Sequence, residues 1–283
     1  MRRISTIAAA ALATAWSLGC VDVTGPVFDQ PDWEWPFTRD TTGFVGVNFE
    51  WHGAIAQGDQ IEIKGIFGDI RATWTAGNEV VVNATKRGLP DDLADVDIEV
   101  LVHAGGVTIC AVYPDVPGAR RNECAPGADG NMAARDSSDH GVEVEFSIQV
   151  PEGVVFAGRT IKGHIDATDL RSDAFVSTVF GNVRVATTRL ATAKTVAGWV
   201  EASIGLADWG RDLGFQTVNG NITVTIPAGT NAEVHANVVS GNISSDFPLG
   251  QPTAGSVHGT IGTGGRTLTL SAVQGDIALR RGS

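Results

Sequence analysis

The stretch Thr217-Val218-Asn219-Gly220-Asn221-Ile222 decides how this chain is read. It runs threonine, apolar, free, glycine, free, apolar. The same phrase returns at Thr160-Ile161-Lys162-Gly163-His164-Ile165, Thr178-Val179-Phe180-Gly181-Asn182-Val183 and Thr195-Val196-Ala197-Gly198-Trp199-Val200. It returns with other first residues at Val238-Val239-Ser240-Gly241-Asn242-Ile243 and Ala272-Val273-Gln274-Gly275-Asp276-Ile277. Gly65-Ile66-Phe67-Gly68-Asp69-Ile70 reads as an early copy. Between Gly163 and Gly241 the glycines step by 18, 17, 22 and 21 residues, and the next step is 34, with Gly259-Thr260-Ile261-Gly262-Thr263-Gly264-Gly265 inserted.

Glycine reaches positive φ without a Cβ clash, so each phrase is a place where the chain can turn sharply. The apolar residues on either side of the turn are expected to point inward. Strands that pair with their sequence neighbours would make each phrase a hairpin turn. Strands that pair with the next repeat would make each phrase part of one coil in a parallel stack. A step of about 20 residues fits one coil of a solenoid, whose core is buried only by its neighbours. The expected fold is all-β: one right-handed β-helix or β-solenoid-like domain over residues 43–283, with Gly68, Gly163, Gly181, Gly198, Gly220, Gly241 and Gly275 as its structural turn glycines.

The rest of the chain agrees. Val142 to Val150 alternates apolar and polar residues without a fault, as do Ile222 to Ile226 and Leu268 to Leu270. Period-two alternation gives a strand one buried and one wet face. Leu89 to Ala94 allows one short turn of helix. Open coil ends need covering, and the segments near Phe44 and Leu279 are the candidates.

The first nineteen residues have the layout of a secretory signal: Arg2 and Arg3, then an alanine-rich apolar run from Ile4 to Leu18. Ser17-Leu18-Gly19-Cys20 resembles a bacterial lipobox, with Ser17 and Leu18 in reverse of the usual order. Lipidation at Cys20 is the expectation, and ordinary cleavage nearby is the alternative. Residues 20–42 read as a tether, broken by Pro26, Pro31 and Pro36. Trp33, Trp35 and Phe37 within it are expected to dock on the folded body; a sugar or partner contact is the other reading. The implied location is the cell envelope, as an exported, membrane-anchored lipoprotein facing the periplasm or the cell surface.

Cys110 and Cys124 are the remaining cysteines, an even pair in an exported chain, and are expected to form a disulfide. Net charge is −12, and two units more negative once Arg2 and Arg3 leave with the signal. Such an acidic surface repels phosphate backbones, so nucleic acid is excluded as a partner.

Catalytic signatures are missing. His52, His103, His140, His164, His235 and His258 show no metal-ligand spacing, and there is no HExxH or Gly-x-Ser-x-Gly motif. Asp91, Asp92, Asp95 and Asp97, and separately Asp136 and Asp139, read as solvated acidic loops rather than calcium sites. No metal, cofactor or catalytic residue is assigned. Asp166, Asp169, Asp173, Glu201, Asp208 and Asp212 lie on the repeats and would supply the carboxylates of a glycan-cleaving β-helix enzyme. They share no register, so exposed acids on turns and edges are preferred. Trp199 and Trp209 would stack on sugar rings if exposed, or pack against a neighbouring coil.

The glycine phrases, together with Val107-Thr108-Ile109-Cys110-Ala111-Val112-Tyr113-Pro114, Asn122-Glu123-Cys124-Ala125-Pro126-Gly127 and Ile243-Ser244-Ser245-Asp246-Phe247-Pro248, resemble the bacterial adhesin-like family DUF4097 over about residues 44 to 281. Thr217 to Ile222 comes nearest to that family's Thr-Val-Asn-Gly-Ser-Ile phrase. The resemblance implies a β-helix-like envelope protein with no catalytic residues, sometimes tied to envelope-stress systems. The functional expectation is a non-catalytic adhesin-like or structural module for a cell-surface glycan or protein. The alternatives are a carbohydrate-active β-helix enzyme and an envelope-stress accessory protein.

Overall fold

A computed structural model describes residues 43–282 except 129, 131, 134–140 and 251–252. The expected signal peptide, the lipidated Cys20, the tether over 20–42, and Asp136, Asp139 and His140 lie outside the described residues. The strands are β1 (Val45–Gly53), β2 (Gln60–Lys64), β3 (Ile70–Thr75), β4 (Val80–Gly88), β5 (Asp97–His103), β6 (Gly106–Val112) and β7 (Glu143–Pro151). Then follow β8 (Val155–Arg159), β9 (Ile165–Leu170), β10 (Ala174–Ser177), β11 (Val183–Thr187), β12 (Ala191–Lys194), β13 (Val200–Ile204) and β14 (Leu213–Asn219). The last are β15 (Ile222–Pro227), β16 (Ala232–Ser240), β17 (Ile243–Ser245), β18 (Ser256–Ile261), β19 (Thr267–Gln274) and β20 (Ile277–Gly282). One short helix, α1 (Pro90–Leu93), sits where the sequence allows it.

Two open sheets result. The first is ordered β1-β4-β7-β3-β9-β11-β13-β15-β20-β17 and the second β18-β16-β19-β14-β12-β10-β8-β2-β6-β5. From β8 to β15 the chain alternates between them, and each strand pairs in parallel with its counterpart one repeat on. The hairpin alternative for the phrases is thereby set aside in this region. Each glycine phrase is the corner where the chain leaves the second sheet and enters the first.

The order of coils in space departs from the order in sequence at both ends. β19 and β20, last in the chain, insert between the β14–β15 coil and the β16–β17 coil. β2 and β3, first in the chain among the parallel strands, lie between β6–β7 and β8–β9. Antiparallel β1, β5 and β18 cover outer positions. The expectation that the segment near Leu279 caps an end is corrected: Leu279 is buried in an interior strand, and the edges there are β17 and β18. Near Phe44 the edge strand β1 does begin.

Between the sheets lie columns of side chains from equivalent positions. Ile165, Val183, Val200, Ile222 and Ile277 share one register and are all at most 1 % exposed. Burying each such side chain stabilises by about 1.5–3 kcal/mol. On the facing sheet, Phe156 pairs with Ala174 and Phe215 with Ala193, so a large side chain sits over a small one at each of these steps.

β2 and β6 break the wet-face rule. Ile61 to Lys64 is buried on both faces, because the excursion after β6 folds back over the sheet. Cys110 in β6 is bonded to Cys124 in that excursion. Asn122 Nδ2 donates to the peptide oxygens of Tyr113, Pro114 and Ala133, and the Tyr113 hydroxyl donates to the oxygen of Val142. Beneath it the fully buried Glu62 accepts from the Gly127 N–H at 2.7 Å and from Arg159 Nε at 3.0 Å.

Candidate functional site

The seven turn glycines form one column, in the spatial order Gly68, Gly163, Gly181, Gly198, Gly220, Gly275 and Gly241. A Cβ built on any of the last six would collide with the peptide oxygen of the glycine before it. The φ of Gly220 is 146° and that of Gly275 is 134°. Close backbone approach, rather than the turn alone, therefore demands glycine here.

The threonine that opens four of the phrases serves the same column. It is buried, and its hydroxyl donates to the glycine oxygen one coil away: Thr178 to Gly163 at 3.0 Å, Thr195 to Gly181 at 2.9 Å and Thr217 to Gly198 at 2.9 Å. Both flanking apolar residues are expected inward; the second residue is so in the early copy, where Ile66 is buried, is half-buried at Ile161 and Val179, and turns outward in the other four. Val196, Val218, Val239 and Val273 are exposed and form an outward stripe, while the sixth residue enters the core in every copy but the last in space, where Ile243 is half-buried. A bend at glycine reverses the facing of its two sides, so the buried threonine and the buried sixth residue leave the second position to solvent.

The residue after each glycine carries a second ladder. The Asp69 carboxylate accepts from the His164 N–H, the His164 Nδ1 from the Asn182 N–H, and the Asn182 Oδ1 from the Trp199 N–H, at 2.8, 2.9 and 3.1 Å. The pattern resumes from Asn221 to Asp276 and from Asp276 to Asn242, both at 2.8 Å. Trp199 interrupts it, because an indole has no acceptor.

At this interruption the surface dips into an open groove of about 270 Å³, lined by Asp69, Arg71, His164, Asp166, Arg184 and Trp199 among others. The strand register sets a row of alternating charge across its floor: Arg71 beside Asp166, Asp166 beside Arg184, and Arg184 beside Glu201. Arg71 pairs with Asp69 at 3.2 Å and Arg184 with Glu201 at 3.1 Å. The Arg184 guanidinium lies 5.7 Å from the Trp199 ring centroid. Asp166 keeps an enclosed Oδ1 with no hydrogen-bond partner among the described residues. The groove thus offers an aromatic face, fixed guanidinium donors and an orphan acceptor.

The other residues singled out in the sequence go elsewhere. Trp209 is buried and donates its indole N–H to the Leu206 oxygen at 2.8 Å, so it forms no exposed pair with Trp199. Asp173 binds Arg189 and Arg211, and Asp212 accepts from the Thr267 N–H. Asp91, Asp95 and Asp97 are exposed and Asp92 half-buried around α1. Among the described residues, no three His, Cys, Asp or Glu side chains are grouped to hold a metal ion. The post-glycine ladder was missed in the sequence, though its signal was there: six of the seven post-glycine residues, all but Trp199, can accept a hydrogen bond.

Residues 148–280 match the family model described as Toastrack DUF4097. Those residues are a Toastrack DUF4097 region. The match to Toastrack starts within β7 and runs into β20, a shorter span than the resemblance drawn from the phrases, and it leaves Gly68 and the disulfide outside. Among solved structures, a "putative cell adhesion protein" from Clostridium sporogenes aligns at 9% identity over 83% of this chain and 100% of its own, with a TM-score of 0.43. A "putative adhesin" from Bacteroides fragilis aligns at 14% identity over 82% of this chain and 97% of its own, with a TM-score of 0.36. Among curated proteins, none matches.

Proposed function

We propose that this protein is a non-catalytic, exported binding module whose Trp199 groove takes a glycan. The observation that carries it is the enclosed Oδ1 of Asp166, which has no hydrogen-bond partner among the described residues, beside a half-buried indole and two guanidinium groups. A sugar ring would lay its apolar face on the indole and give a hydroxyl proton to Asp166. The groove's other carboxylate, Asp69, already serves Arg71 and the His164 N–H. Export is supported by the Cys110–Cys124 disulfide, which suits an oxidising compartment. A lipid on Cys20 would hold the module at the membrane, on the strength of the leader sequence alone. We take the two sheets as one right-handed β-solenoid, in keeping with their parallel rungs and with the hand that parallel crossovers prefer.

The test is the full chain without residues 1–19, applied to a panel of envelope glycans. Binding is expected, and Trp199→Ala should weaken it about tenfold, equivalent to about 1.4 kcal/mol of ring contact. Equal binding by Trp199→Ala would overturn the groove assignment. Cleavage of a bound glycan would move the reading to a carbohydrate-active enzyme.

A further inference from the structure

The six histidines show no metal-ligand spacing along the chain, yet the fold brings two of them together. β16 and β18 pair antiparallel, and His235 stands directly opposite His258. Both are exposed on the outer face of this edge strand pair. Their Nδ1 atoms are 3.0 Å apart, and the rings meet edge to face at 88°. Metal–imidazole bonds of about 2.0–2.1 Å put two nitrogens about 3 Å apart when they fill neighbouring corners of a square-planar site.

The protons of this pair can be placed from its neighbours. The Ser256 hydroxyl donates to Asn237 Oδ1 at 2.7 Å, which uses its one proton. Ser256 Oγ therefore accepts from His258 Nε2 at 2.9 Å. With its proton on Nε2, neutral His258 turns a bare Nδ1 lone pair toward His235. Histidines that bind metals have this arrangement: the far nitrogen donates to an outer partner, which fixes the tautomer and aims the near one. His235 then donates its Nδ1 proton to His258. A cation entering between the rings would take the place of that proton. Glu233 lies two residues from His235 on the same face, held by the Thr260 hydroxyl at 3.0 Å. It adds negative charge beside the site.

We propose that His235 and His258 form a surface site for a divalent transition-metal ion, with Cu²⁺ favoured and Ni²⁺ and Zn²⁺ weaker. Imidazole nitrogen suits these ions, and Cu²⁺ prefers a square-planar set of nitrogens and oxygens completed by water. The ion would clip β18, the edge strand, to β16.

The experiment titrates Cu²⁺ into the full chain without residues 1–19. It follows binding by calorimetry and electron paramagnetic resonance, and the histidine ring signals by NMR. One Cu²⁺ with two nitrogen ligands is expected, and it should broaden the His235 and His258 rings selectively in the unmodified protein. His235→Ala and His258→Ala should each abolish that binding, and Ser256→Ala should weaken it about tenfold. His52→Ala, on β1, should leave it unchanged. Broadening that spares His235 and His258, or full affinity in both alanine variants, would overturn the assignment. The NMR readout needs no substitution, so it decides the matter even if a variant fails to fold.

Discussion

The Thr195 hydroxyl donates to the peptide oxygen of Gly181 across one coil, at 2.9 Å. Thr195 is 5 % exposed, so this oxygen has little access to water. Thr195→Val keeps the shape and removes the donor. Leaving a buried acceptor without its donor should cost about 1–3 kcal/mol, and Thr195→Ser should recover most of it. Denaturant midpoints for the two variants check this; equal midpoints would show that the hydroxyl adds nothing.

The glycine column yields a sharper contrast. A methyl group on Gly198 would meet the Gly181 oxygen inside any van der Waals contact, and backbone cannot swing aside as a side chain can. Gly198→Ala should destabilise by about 3 kcal/mol or more, through backbone strain and separation of the rungs. Gly210→Ala is the control: a Cβ there meets nothing, and the change should stay within about 0.5 kcal/mol. Thermal unfolding of the pair decides whether the column is structural. Similar melting temperatures would dissolve the argument.

These two sites mark how far the sequence could be read. The glycines and threonines announce the corner because backbone contact leaves so few residue choices there. Val196 and Val218 mislead, since an apolar residue beside a turn reads as core while the bend in fact turns it to solvent. Ile61-Glu62-Ile63-Lys64 alternates like a half-wet strand. Only the excursion tied down by Cys124 and Asn122 makes it dry, and period alone cannot reveal a cover from elsewhere in the chain. The insertion of β19 and β20 ahead of β16 and β17 left one trace, the long step from Gly241 to Gly275. The groove was half legible: Trp199 stood out in its phrase, but the row Arg71, Asp166, Arg184 and Glu201 exists only through register between strands far apart in sequence. Histidines 235 and 258 meet for the same reason.

Acid should loosen the last coil first. Asp246 follows the short edge strand β17, and its carboxyl is held below the usual carboxylate range. The Arg281 peptide N–H is the main cause, aided by the hydrogen bond and charge of Arg280 and by the charge of Arg281. A carboxyl lowered by folding contributes stability above the unfolded value and loses it as pH falls through the folded one. Protection factors of the Ile243–Ser245 amides, taken against the intrinsic rate at each pH, should therefore fall as pH drops below the ordinary carboxylate range. Asp246→Asn should show low protection already at neutral pH and little further loss of it with acid. A pH response unchanged in that variant would assign the effect to another group.

The excursion over β2 should act as a lid on a buried charge. Reducing the Cys110–Cys124 disulfide frees a loop of sequence separation 14, which in the chain-entropy picture costs about 3 kcal/mol. If the loop then lifts, water reaches Glu62, which is otherwise fully buried against Arg159, Thr108 and the Gly127 N–H. Glu62→Ala in the oxidised protein removes the buried acceptor of Thr108 and the Gly127 N–H, while the half-exposed Arg159 keeps its access to water, and should cost about 1–3 kcal/mol. In the reduced protein the same change should cost much less, because the Thr108 hydroxyl and the Gly127 N–H can then turn to water. A double-mutant cycle with Cys110→Ser and Cys124→Ser measures that difference as a coupling energy. Strict additivity would mean that the loop stays in place without its disulfide, held by its remaining hydrogen bonds, those of Asn122 and Tyr113 among them.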